Sequence, residues 1–280
     1  MAELRVLAGG LDHPEGLAWD PTSGSIVAGG EAGQLYRVDP DGGSVTLMAE
    51  GGGYVLGIAI DAVGRVFWCD QVHHAVMRYD PSSGAIEAWS RGAPDVPMRV
   101  PNSLVFDASG RLYVSESGAW ADHDGGMFII EPDGTTRVGS SECRDFANGV
   151  ALDPSGEYLY VLETSAPALA RFAIVADGSL GARELVTLLP RTVPDGLAFT
   201  ADGRLLISCF RPDAVLLWDG TTVTTLAEDW MGLTLSAPTN VAFFGPGLGR
   251  LAAANIAFLH LAEIVTDLRG APLHYPALPA

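Results

Sequence analysis

A short phrase recurs six times along this 280-residue chain at nearly fixed spacing. It reads as a small or polar residue, then Gly or Asn, an apolar run, a tight turn and a second apolar run. The copies are HPEGLAWDPTSGSIVA (13–28), YVLGIAIDAVGRVFWC (54–69), VPNSLVFDASGRLYVS (100–115), FANGVALDPSGEYLYV (146–161), VPDGLAFTADGRLLIS (193–208) and APTNVAFFGPGLGRLA (237–252). The matched positions are Glu15, Leu56, Asn102, Asn148, Asp195 and Asn240, separated by 41, 46, 46, 47 and 45 residues. A fixed period of this size marks a repeat architecture, in which each copy is one supersecondary unit that buries its apolar face only by stacking on neighbours.

One period shows what the unit is. In residues 146–178, NGVALD is a short apolar strand and DPSG carries Asp, Pro, Ser and Gly in the order a type I turn prefers. EYLYVLE is rich in β-formers, ARFAIV follows a loop, and ELVTLL makes a fourth strand before the next copy. Four short antiparallel strands per period describe a propeller blade. Six copies predict an all-β, six-bladed β-propeller spanning 1–280 as a single domain. A β-sandwich shares the turn spacing but not the fixed four-strand period. The stretch around Leu4–Leu7 is expected to supply the outer strand of the last blade, closing the ring and removing an open edge.

This topology predicts which residues meet. Each matched position precedes the first strand of its blade, so all six belong to one face, near the axis. Glu15, Asn102, Asn148 and Asp195 offer two carboxylates and two amide oxygens, a hard-oxygen set suited to Ca²⁺, Mg²⁺ or Mn²⁺, with Zn²⁺ also open. Singly, each would be read as a turn residue; at one phase of a closed ring they read as ligands. The second strand of each blade returns to the same face. Its ends carry Asp70, Glu116 and Glu163, and the loops beyond carry Trp120, His123, Phe210 and Arg211. Tyr54, Leu56, Trp120 and Phe210 would set apolar and aromatic surface around the ligands.

Composition narrows the partners. The formal charge of −18 argues against nucleic acid and anionic membranes. No apolar run reaches the roughly 18–20 residues of a membrane span, and MAELRVLAGG lacks the pattern of a secretory signal. Three cysteines, an odd number without metal spacing, suit free thiols in a reducing, cytoplasmic compartment. The six histidines form no metal-binding pair. No GxSxG or phosphate-binding loop is present; the Gly-rich stretches at 29–34 and 48–57 lack the strand-to-helix context such a loop needs.

The segments HPEGLAWD, RVPNSLVFDASGRLYVSES, NGVALDPSGEYLYVLET, VPDGLAFTADGRLLIS and PTNVAFFGPGLGRL resemble the regucalcin–gluconolactonase family of metal-dependent lactonases, with paraoxonase-like and diisopropyl-fluorophosphatase-like enzymes as more distant relatives. The resemblance runs through almost the whole chain. It implies one divalent ion, calcium first, held by Glu15, Asn148 and Asp195, with Asn102 a ligand or a substrate-contacting neighbour. It also implies Asp195 as general base and Arg99 on substrate oxygens. Glu116 and the 117–125 loop, with Trp120 and His123, would orient the substrate. The loop SESGAWADHDGG does not match the family's sugar-lactone loop, and Tyr54, Leu56 and Gly57 make the second blade's contribution apolar. The expected function is a metal-dependent hydrolase opening a lactone or related ester of small size. An organophosphate-type hydrolase, or a non-hydrolytic biosynthetic enzyme, could use the same site. A non-catalytic propeller that binds a peptide is the reading from another class.

Overall fold

The structure, a computed structural model, describes residues 1–279. Aspartates at the ends of the first strands fold the first four repeats back on themselves. Asp61 Oδ1 accepts the N–H groups of Val63 (3.0 Å) and Arg65 (2.9 Å). Asp107 does the same for Ser109 and Arg111, and Asp153 for Ser155 and Tyr158. Side-chain capture of nearby backbone donors is how Asp fixes such turns. In the fifth copy Thr200 takes the role, its Oγ1 accepting the Arg204 N–H at 2.9 Å.

These turns build six four-stranded antiparallel sheets, the blades of a six-bladed β-propeller. The chain divides into two compact units. The first, Met1–Val55 with Arg191–Pro272, holds three blades. Blade 1 runs Leu17–Asp20, Ser25–Gly29, Gln34–Val38 and Val45–Glu50. Blade 5 runs Val193–Phe199, Leu205–Arg211, Ala214–Trp218 and Val223–Glu228. Blade 6 takes Pro238–Phe244, Arg250–Asn255 and His260–Val265 from the far end of the chain, and Glu3–Gly9 from the near end. Glu3 pairs with Val265 and Gly9 with His260, so the N-terminal strand completes this blade as expected.

The second unit runs from Leu56 to Pro190, with the C-terminal stretch from Leu273. Its blade 2 runs Val55–Ile60, Val66–Asp70, Ala75–Asp80 and Ala85–Ser90. Blade 3 runs Pro101–Phe106, Leu112–Glu116, Gly126–Ile130 and Thr136–Ser140, and blade 4 Ala147–Leu152, Tyr158–Glu163, Ala168–Ile174 and Leu180–Leu188. A two-stranded hairpin, Gly92–Ala93 with Val96–Pro97, precedes blade 3 and has no counterpart in the repeat.

Burial follows position in the blade. The second strands of blades 1 to 3 are buried along their whole length, and those of blades 4 to 6 along all but their ends. The fourth strands alternate between partly buried and exposed residues, as a solvated edge requires. In the first unit Trp19 and Phe244 pack 6.4 Å apart within an aliphatic cluster. In the second, Phe67 meets Trp89 and Phe106 edge to face at 5.7 and 5.3 Å, the arrangement that ring quadrupoles favour.

The C-terminal stretch is held by a buried ion pair. Arg65 Nε donates to Asp61 Oδ2 at 2.6 Å, and its other nitrogens donate to the carbonyls of Pro279 (2.8 Å) and Leu278 (3.0 Å). The Ala62 N–H reaches the Pro276 carbonyl at 3.0 Å. The three cysteines are free and buried. Among the described residues no helix is long and apolar enough to cross a membrane.

Candidate functional site

The matched residues do not all precede their strands. Only Glu15 does; Leu56, Asn102, Asn148, Asp195 and Asn240 lie inside them. Four of these strands are bulged there. The register slips between Pro101 and Leu104, Ala147 and Val150, Pro194 and Leu197, and Pro238 and Asn240. A bulge unpairs a residue and re-aims its side chain. The backbone groups it frees must find partners, and a buried serine from the second strand supplies one. Ser115 Oγ accepts the Ser103 N–H at 3.0 Å, and Ser208 Oγ accepts the Gly196 N–H at 2.9 Å. Ser208 Oγ also lies 2.9 Å from the Thr239 carbonyl, its acceptor on the next blade.

The glycine after the matched residue has a packing reason. A Cβ on Gly57 would sit 2.7 Å from Ser103 Cα, and one on Gly196 would sit 2.7 Å from the Thr239 carbonyl oxygen. Neighbouring first strands approach too closely there for any side chain.

Within the first unit, Glu15, Tyr54 and Asp195 form one electrostatic group. The Tyr54 hydroxyl donates to the Glu15 carboxylate, and burial, with the charges of Glu15, Glu31 and Asp195, pushes the phenol upward. Burial, with the Glu31 charge, raises the Glu15 carboxyl to about 7 against the pull of the Tyr54 hydrogen bond. Burial and the Asp195 charge hold the Cys209 thiol up at about 12. Thr239, a residue the repeat pattern did not single out, donates from Oγ1 to the Glu15 carbonyl at 3.0 Å. Tyr54 therefore presents a polar contact to Glu15, where the sequence suggested an apolar wall. Phe210 lies in the strand Leu205–Arg211 and not in a loop, and the Arg211 guanidinium sits 4.9 Å from its ring centre.

Within the second unit, Asn102 and Asn148 are buried on their bulges. Asn148 Nδ2 donates to Thr164 Oγ1 at 3.2 Å. Glu116 is buried and accepts the N–H groups of Arg99 (3.0 Å) and Val100 (2.7 Å), which fixes the approach to the Asn102 strand. Its counterparts at other strand ends also hold backbone: Asp70 accepts Val72 and His73 N–H groups at 3.0 and 2.9 Å. In the first unit Asn255 Oδ1 accepts the Ser236 N–H at 2.9 Å. Glu163 instead pairs with Arg183 Nε at 3.0 Å. Arg99, half exposed, pairs with Asp124 at 2.6 Å, and His123 pairs with Asp145. Trp120 packs on Phe146 with ring centres 5.0 Å apart.

Each unit's residues fit a hard divalent cation. Asn102 is only 8% exposed and lies on its strand's bulge, where it offers an amide oxygen of the kind a hard cation takes. Asn148 gives its amide N–H to Thr164, which leaves its oxygen as the atom for a cation. A carboxyl raised by burial and a like charge, as Glu15 is, is a group a nearby cation would return to its ionised form. Asp12, His13 and Glu31 also bring ligand-type atoms within 4.8 Å of one another, but His13 Nδ1 is engaged by Asp12 at 2.8 Å.

The SMP-30/gluconolactonase/LRE-like region matches residues 13–254. Lactonase drp35 of Staphylococcus aureus is 27% identical over 123 residues, 42% of this chain and 38% of that protein, so the match spans little more than a third of that relative's length. Pentonolactonase XacC of Haloferax volcanii is 25% identical over 259 residues, 90% of this chain and 84% of that one. Among solved structures, a calcium-binding protein, regucalcin, of Agrobacterium tumefaciens superposes with a TM-score of 0.81 at 19% identity, covering 100% of this chain and 98% of its own, a likeness of fold. The family match takes in all six copies of the repeat, bulged strands included, and on it the chain belongs to the SMP-30/gluconolactonase/LRE-like family.

Proposed function

We propose that the protein is a metal-dependent hydrolase that opens a lactone or related ester. The observation that carries this reading is the recurrence of an oxygen ligand type at one phase of the repeat, with Asn102 and Asn148 buried on bulged strands. Glu15, Asn102, Asn148 and Asp195 would hold the ion, with calcium the first expectation from the oxygen donors. When bound, a divalent ion polarises an ester carbonyl and lowers the pKa of water. The chain's own groups supply the rest. Asp195, positioned by the Pro194–Leu197 bulge, would accept a proton from the attacking water. Tyr54 holds the Glu15 carboxylate by its hydroxyl, and Thr239 holds the Glu15 backbone. Glu116 fixes the Arg99–Val100 backbone ahead of Asn102, leaving the half-exposed Arg99 side chain at the substrate side.

The test pairs metal analysis of purified protein with a panel of lactones and phosphotriesters, each assayed with and without chelator. Lactone opening that disappears on chelation and returns with one equivalent of divalent metal is expected. Turnover of phosphotriesters alone, or full lactone turnover in metal-free protein, would refute the reading.

A further inference from the structure

Three polar side chains around blade 3's outer loop are already engaged. Arg99 is paired with Asp124, His123 with Asp145, and Glu116 with the backbone of residues 99 and 100. A polyhydroxylated substrate would compete with these pairs for partners to its own hydroxyls. Each hydroxyl left against apolar surface without a partner costs on the order of 1–3 kcal/mol.

What the loop does offer is aromatic surface. Trp120 is 54% exposed, and its indole N–H has no partner among the described residues. Its ring leans on Phe146 at a tilt of 58°. Phe146 has a left-handed backbone, φ 59°, a conformation rare for a bulky residue and held only where the surroundings demand it. Backbone hydrogen bonds hold this turn: the Thr164 N–H is shared between the Asp145 carbonyl (2.9 Å) and the Phe146 carbonyl (3.2 Å), and Ser165 donates to the Asp145 carbonyl at 3.1 Å. Thr164 also accepts from the Asn148 side chain. One residue thus ties the aromatic pair to a candidate ligand two positions away.

We infer that Trp120 and Phe146 form a fixed aromatic shelf beside Asn148 that receives an alkyl or aryl arm of the substrate. The inference rests on the lactonase reading above and narrows it: the substrates are lactones with an apolar substituent, not sugar lactones. Stacking and burial of the arm act on binding, so the effect belongs in KM more than in kcat.

The experiment compares wild type, Trp120→Ala, Trp120→Phe and, as a control on the other unit, Trp230→Phe. Substrates are γ-lactones bearing hydrogen, butyl or phenyl, and gluconolactone. Trp120→Ala is expected to lose about tenfold in kcat/KM on the butyl and phenyl lactones relative to the unsubstituted one, mainly through KM. Trp120→Phe should keep most of the discrimination and Trp230→Phe all of it. An equal loss on every lactone, or a preference for gluconolactone by about tenfold in wild type, overturns the shelf.

Phenyl and unsubstituted lactams, which resist hydrolysis, are titrated in parallel by calorimetry. Tighter binding of the phenyl lactam that depends on Trp120 supports the shelf even if no lactone is opened, in which case the reaction assignment alone fails. Equal binding of the two lactams overturns the shelf and leaves any lactone turnover standing. Should Trp120→Ala fail to fold, Trp120→Phe and Phe146→Leu carry the same comparison.

Discussion

Arg65→Met should unlatch the C-terminal stretch and destabilise the second unit by about 3–5 kcal/mol, the usual cost of breaking a buried pair. Arg65 is 6% exposed and Asp61 fully buried. Methionine keeps much of the stem volume but strands the Asp61 charge, softened only by the two backbone N–H groups it accepts. Deleting residues 274–280 removes the carbonyls of Leu278 and Pro279 and the Pro276 contact to Ala62. Here Asp61 keeps its partner and water replaces the lost acceptors. The net cost should be smaller, about 1–3 kcal/mol, for hydrogen bonds to a charged donor. The decisive quantity is the coupling. In the Arg65→Met background the deletion should cost at least about 1 kcal/mol less than in wild type, because the latch is already gone. Urea unfolding of the four proteins at matched metal content reads all of these terms, provided m is unchanged. Additivity within about 0.5 kcal/mol would show that the tail docks independently of Arg65 and would refute the argument.

Three further outcomes follow from the site. Ser208→Ala leaves the Gly196 N–H without its partner; it should cost about 1–3 kcal/mol and weaken metal binding as the Asp195 bulge loosens, and an unchanged melting temperature would count against it. In chelated protein the Glu15 carboxyl, raised from 4.5 to about 7, makes the folded state bind the extra proton. Stability from this group is therefore full below pH 4.5 and falls as pH rises through 7, by at most about 3 kcal/mol. Glu15→Gln should abolish that slope, and a pH-independent difference between variant and wild type would contradict it. Asp195→Asn should fold normally, bind metal more weakly and lose about 100-fold or more in lactone turnover; near-normal turnover in the metal-loaded variant would remove Asp195 as base.

The blades were legible because their signals are local. A turn such as DPSG, or the Asp107–Arg111 turn, needs only residues a few positions apart, and the ligand phase recurs with the period. The bulges were not legible, since a register slip is a property of two strands, here Pro101–Phe106 against Leu112–Glu116. Glu116 read as a substrate contact, but its partners are backbone groups 16 and 17 residues away. Tyr54 read as apolar because its acceptor, Glu15, belongs to another blade. Phe146 was passed over, as nothing local announces a left-handed phenylalanine. The tail latch joins groups more than 200 residues apart, beyond any pattern of spacing.

The two compact units differ in one respect that matters on the ribosome. The second is continuous from Leu56 to Pro190 but for its short tail, so its three blades can form as they emerge. The first is interrupted: its opening 55 residues are made early, yet two of its blades lie in Arg191–Pro272. At typical synthesis rates the early segment waits roughly 10–45 s for both to be complete. Throughout that interval Glu3–Gly9 is a β-prone strand without a sheet, the kind of edge that recruits chaperones or other nascent chains. Its partner, His260–Val265, is synthesised after every other strand of the six blades. Folding of the first unit thus ends with its earliest strand docking on its latest.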